Sequence, residues 1–83
     1  VKTHYLKATR EGFAASWSGA KSFEIRFNDK FQINEKFVLQ EHNLSKNEYT
    51  GWEIEGYITY MSSFNQRPDF CVFSYQETAR REG

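Results

Sequence analysis

Lys21, Glu24 and Arg26 bring two cations and an acid within one short stretch of chain. Residues 22–27 alternate polar and apolar, the period of a β-strand, so Ser22, Glu24 and Arg26 share one face while Phe23, Ile25 and Phe27 take the other. Two residues apart on one face, Glu24 and Arg26 can pair or act together on a ligand. The planar fork of Arg26 suits a phosphate or carboxylate, and Glu24 can accept from an amino or hydroxyl group. Lys21 stands just ahead of the strand, where it can meet a phosphate or, if desolvated, act as a base. Each has a plainer use as well. A surface Glu–Arg pair is worth about 0–1 kcal/mol, and a lysine past a helix end complements the helix dipole.

Four further groups are secondary candidates. Ser22 shares the Glu24 face. Asn28 and Asp29 follow the strand and are most economically turn formers. Tyr57 falls on the polar side of a long strand, where an exposed ring can stack on a base. Trp52 and Tyr60 carry the same aromatic chemistry, but a domain this small needs them in its core. His4, on a predicted first strand, can bind or shuttle a proton; a hydrogen-bonded rim histidine is its plainer role.

Other chemistries have little to stand on. Cys71 is the single cysteine, so no intramolecular disulfide and no thiol metal cluster can form. Its neighbours Phe70, Val72 and Phe73 predict a buried structural thiol. No Ser–His–Asp order, His-x-x-x-His spacing or Cys–His pairing is present, and neither a metal nor a cofactor is expected. Eleven basic residues balance eleven acidic ones, which argues against a domain-wide basic surface for long duplexes but leaves room for a local patch. No apolar run reaches the ~20 residues of a membrane span, and no signal-peptide pattern opens the chain. A reducing cytoplasm and no membrane partner are the expectation.

The elements that must position these groups follow from pattern. With 83 residues, one domain over 1–83 is expected, and its core must lean on large aromatic side chains. Residues 1–7 predict a short strand with His4 and Leu6 on one face. Thr9 can cap a helix over 10–18, with Glu11 in its first turn and Phe13, Trp17 and Ala14 forming an apolar face. Gly12 costs such a helix about 1 kcal/mol relative to Ala, which points to a short helix or close packing. Gly19 ends it in the left-handed conformation. After the 22–27 strand come a turn over 28–30, a brief extended piece at Phe31 and Ile33, and a turn at Asn34 and Glu35. A strand over 36–42 turns inward either Phe37, Leu39 and Glu41 or Val38 and Gln40. A loop leads into a long strand over 49–62 with Trp52, Ile54, Ile58 and Tyr60 on one parity. Gly56 marks a bulge or bend in it. A loop, a last strand over 70–76 and a flexible tail over 76–83 finish the chain. One helix ahead of a run of mostly antiparallel strands predicts a small barrel plugged on one side by the helix.

The run Gly19-Ala20-Lys21-Ser22-Phe23-Glu24-Ile25-Arg26 resembles the Gly-x-Lys-x-x-Glu-x-Arg motif of the ASCH family, within the PUA-like superfamily. The likeness extends through the opening Lys2-Thr3-His4-Tyr5-Leu6-Lys7, the turn Asn28-Asp29-Lys30 and Tyr49-Thr50-Gly51, covering about residues 2–76. It is closest to a small single-domain bacterial and phage branch of unknown function. Asn34-Glu35 stands where that branch has Gly-Asp, and Lys30 where it has Arg, losing the bidentate fork. The resemblance implies an α+β, mostly β fold: a small PUA-like pseudo-barrel of five to six strands, with one helix after the first strand. It also implies RNA binding, an expectation by fold analogy.

Three functions follow in order. The first is an RNA- or nucleotide-binding module, its cleft between the helix and the Glu24–Arg26 strand, lined by Lys21, Glu24, Arg26 and His4. The second is a small amidohydrolase, as one ASCH branch acts on acetylated cytidine with a Lys, a Thr and a Glu. Lys21 matches that lysine, but Glu24 stands where Thr belongs, and Ser22 would need a shifted register. Binding without catalysis is therefore preferred. The third is a protein-interaction accessory domain, with exposed aromatics gathered away from Lys21 and Arg26.

Overall fold

The computed structural model describes residues 2–27, 31–62 and 70–83. Its elements are β1 (Thr3–Ala8), α1 (Arg10–Trp17), β2 (Phe23–Phe27), β3 (Lys36–Asn43), β4 (Glu48–Ser62) and β5 (Phe70–Arg81). The strands form one five-stranded sheet in the order β1-β3-β4-β5-β2, curled into a half-barrel. β1 runs parallel to β3, and the other neighbours are antiparallel. The mostly-β fold with a single helix matches the expectation from the sequence.

The helix forms where its caps predict. Thr9 is extended and its side chain accepts from the Gly12 amide, Glu11 lies in the first turn, and Ser18 closes the C-terminal end. A Cβ on Gly12 would stand 3.2 Å from Thr9 Oγ1 and 3.8 Å from Lys21 Nζ, so this glycine keeps the helix start close to Lys21. Gly19 takes φ 86°, the left-handed stop that glycine permits. The buried face differs from the prediction in one position: Phe13 and Ser16 are buried while Ala14 is exposed. Ser16 lies three residues from Phe13 on the side that meets the sheet, and the drift of a 3.6-residue turn carries Ala14 outward.

Phe13 plugs the open side of the half-barrel, against a core of Leu6, Phe37, Leu39, Ile54, Ile58 and Phe73. Phe37 and Leu39 are the inward pair on β3, yet Val38 on the opposite face is also buried. Gly56 lies at the predicted irregularity, with a register shift between Glu55 and Gly56. A Cβ there would collide with the Gln76 carbonyl and stand 3.0 Å from the Phe37 ring. Cys71 is buried as predicted, and burial pushes its thiol pKa up.

Several expectations are corrected. Residues 76–83 are not a loose tail, because β5 continues to Arg81 and pairs with β4 through Ala79–Glu55, Arg80–Ile54 and Arg81–Glu53. The 15-residue β4 offers a ladder longer than the predicted last strand. Side chains fasten it: Arg81 reaches Glu53 at 2.9 Å, and the Arg80 guanidinium lies 4.4 Å over the Trp17 ring. Tyr60 is 63% exposed rather than core, because a register shift between Ile58 and Tyr60 breaks the parity that joined them. No strand forms at Phe31 and Ile33. The turn after them does form, with Asn34 at φ 75°, a conformation asparagine tolerates better than most residues.

Candidate functional site

β2 is an edge strand whose faces are inverted relative to ordinary amphipathic logic. Its register on β5 sets Glu24 opposite Phe73 and Arg26 opposite Cys71. Both partners are buried, so the charged face of β2 points into the half-barrel. Phe23, Ile25 and Phe27 face outward and are exposed, and Phe27 packs edge-on against Phe70 at 5.7 Å.

Glu24, 2% exposed, is held between two cations. Arg26 grips Oε1 through Nε at 3.2 Å and Nη2 at 2.8 Å, and Lys21 Nζ lies 3.2 Å from Oε2. Burying a carboxylate is costly unless charges and hydrogen bonds compensate it, and the pairing of Lys21 and Arg26 supplies that compensation. It is incomplete at Oε2, which makes no directed hydrogen bond among the described residues. Arg26 also donates to the Lys7 carbonyl at 3.0 Å. That bond bridges β2 to β1, the two edges of the sheet, and closes the seam of the half-barrel with a side chain.

At this seam lies a cleft of about 260 Å³, walled by Lys7 and Thr9 on one side and by Lys21, Glu24 and Arg26 on the other, with Gly12 at its back. Ser16 and Tyr75 support it. The Tyr75 hydroxyl points to the Lys21 carbonyl at 3.5 Å. Burial pushes the Tyr75 phenol pKa up, the adjacent Ser16 hydroxyl offsets part of that rise, and the Glu24 carboxylate adds to it. Ser16 Oγ is itself buried without a well-directed hydrogen bond among the described residues.

Glu24 and Arg26 share a face as the strand period predicts, and Lys21, ahead of the strand, joins them through Glu24. The other candidates are placed elsewhere. His4 bonds through Nε2 to Glu35 Oε1 at 2.7 Å and packs on Phe31 at 4.4 Å between ring centres; it is not among the residues lining the cleft. Ser22 is exposed and precedes β2. Tyr57 borders a different depression, with Lys36, Val38 and Glu55. Asn28 and Asp29 lie outside the described residues.

Residues 3–75 match the family described as a domain of unknown function, DUF3850. The chain belongs to that family. No curated protein matches it. The DUF3850 match spans β1, α1 and β2 and so includes every residue of the cleft. In this DUF3850 chain, pattern alone did not single out Lys7, Thr9, Gly12, Ser16 or Tyr75 as parts of the site. Thr9 carries a signal that reads as helix capping, and Gly12 one that reads as a short helix or close packing. Lys7 contributes a carbonyl, which no side-chain pattern reveals. Among the described residues no group of three or more His, Cys, Asp or Glu side chains could hold a metal ion, and no helix is long and apolar enough to cross a membrane.

Proposed function

We propose that the protein binds a nucleotide or a short single-stranded RNA segment in the cleft between α1 and β2. The observation that carries this reading is Glu24, buried against two cations on the cleft wall. Lys21 and Arg26 remain partly exposed, with side chains 29% and 24% accessible, so each can still turn donors toward a phosphate or base edge. Two cations against one carboxylate leave a local positive balance on a chain whose formal net charge is zero, which suits a small anionic ligand better than a long duplex. Glu24, buried beneath them, holds both cations at the cleft wall, where their remaining N–H donors suit a phosphate or base edge. The resemblance to the ASCH family, with RNA binding in its superfamily, agrees with this reading.

The amidohydrolase alternative has less support. The hydroxyl it would recruit, on Ser22, is exposed outside the cleft lining. Thr9 is in the lining, but its Oγ1 accepts the Gly12 amide as a helix cap. The accessory-domain alternative has an exposed apolar strip on β2, yet nothing among the described residues shows what covers it.

The test is a heteronuclear NMR titration of labelled protein with cytidine and adenosine monophosphates and a short RNA, repeated on Lys21→Ala and Arg26→Ala. Shifts concentrated at Thr9, Gly12, Lys21, Glu24 and Arg26 are expected, with each substitution weakening binding about tenfold, the loss of one charge-assisted hydrogen bond. Unchanged affinity in both variants, or a silent spectrum from folded protein, would overturn the assignment.

A further inference from the structure

A second and larger cavity, about 480 Å³, lies between the start of α1 and the β3–β4 hairpin, bordered by Lys7, Ala8, Thr9, Arg10, His42 and Leu44. Lys7, Ala8 and Thr9 line both this cavity and the cleft at the seam, so the two depressions meet at the β1–α1 junction. The cleft alone falls below the roughly 300–1,000 Å³ of ordinary ligand sites, whereas the joined depressions fall within that range.

His42 marks the second cavity as more than a surface dimple. It is 6% exposed and turned inward by the register shift between Gln40 and His42. Its ring packs edge-on against Tyr49 at 5.1 Å. No described residue hydrogen-bonds its ring nitrogens, and those atoms are not closed off from solvent, so they are open to a partner. Two residues on, Leu44 at the hairpin turn is 82% exposed, an apolar side chain bordering the cavity. Charge follows the same path. Lys7, Arg10, Lys21 and Arg26 border the two depressions against Glu11 and Glu24.

We infer that the His42–Leu44 cavity is a second nucleoside subsite, and that the ligand is a single-stranded oligonucleotide crossing the β1–α1 junction from one depression to the other. One base lies against Leu44 with a ring nitrogen of His42 meeting the base edge, and the linking phosphodiester passes Lys7. This assignment rests on the nucleotide-binding reading of the cleft. It commits that reading to at least two consecutive units, with the His42 side selecting for a base.

The experiment compares cytidine monophosphate with a cytidine dinucleotide and trinucleotide by calorimetry, on wild-type protein and on Leu44→Ser and His42→Ala. Leu44 is exposed, so Leu44→Ser folds even if the buried His42 substitution does not. The dinucleotide is expected to bind about tenfold tighter than the mononucleotide, the scale of packing one more base against an apolar side chain. That gain should vanish in Leu44→Ser, with mononucleotide affinity unchanged. A dinucleotide no tighter than the mononucleotide, or a gain untouched by Leu44→Ser, overturns the second subsite and leaves the cleft standing. Absence of binding by every nucleotide overturns both. Saturation of the cavity by an apolar peptide, with no oligonucleotide gain, would assign it to a protein segment instead and likewise overturn the proposal.

Discussion

Replacing Glu24 by Gln keeps the volume of the side chain and removes the charge that neutralises Lys21 and Arg26. The expected cost is about 2 kcal/mol in urea unfolding, the scale of a lost charged hydrogen bond moderated by the partial exposure of both cations. Lys21→Ala should cost under about 1 kcal/mol, because its ammonium is the more accessible partner. Equal costs for the two substitutions would mean that Glu24 is not the hub of the cluster. A second ionic contact gives a pH signature. The hydrogen bond from His4 lowers the Glu35 pKa, reinforced by the Gln32 amide, which donates at 2.9 Å. A carboxylate with a depressed folded pKa contributes stability above its unfolded value, about 4.3, and that contribution is lost as pH falls through the folded value. The Glu35 carboxyl carbon should therefore titrate below the ordinary glutamate range in wild-type protein and move back toward it in His4→Ala.

The two faces of β2 allow a sharp comparison. Ile25 is 52% exposed and Ile54 is fully buried. Ile25→Ala should change stability by less than about 1 kcal/mol, while Ile54→Ala should cost about 2–5 kcal/mol. Similar losses at both positions would contradict the outward orientation of the β2 apolar face. Deleting residues 77–83 should lower the urea midpoint, since it removes the end of the β5 ladder and the Arg80 guanidinium lying over Trp17; a tail would be lost without effect. These same elements show how far pattern reaches. The helix was legible because its signals are local: Thr9, Glu11, Phe13, Trp17 and Gly19 lie within a few turns of one another. Alternation places Glu24 and Arg26 on one face, but which face lies inside depends on β5, where Glu24 meets Phe73. The exposure of Tyr60 and the length of β5 are likewise set by cross-strand register, which no single segment carries. At the site, Lys21, Glu24 and Arg26 were readable for the same local reason. His4 was not, because its partner Glu35 comes from a distant turn, and Ser16 and Tyr75 meet only through the packing of α1 on the sheet.

A neutral chain with a few cations around two joined depressions should bind its ligand with a shallow salt dependence. If two to four of Lys7, Arg10, Lys21 and Arg26 meet phosphates, the slope of log K against log salt should lie between about −1 and −3, at roughly −0.7 for each phosphate contacted on a single strand. A much steeper slope would mean that a broader surface is engaged. The sheet order has one more outcome, in time rather than in energy. Among the described residues the backbone of β2 pairs with β5 alone, where residue 23 meets residue 74, and the opposite wall of the cleft hangs from β1, where residue 3 meets residue 36. Both pairings close long loops, so the cleft is among the last parts of the molecule to assemble and the chain should fold slowly for its size. The same strand should be the first to open: its amides should exchange with deuterium faster than those of the central strand β4. A bound ligand that spans β1 and β2 should slow that exchange, acting as the clasp that the backbone itself does not provide.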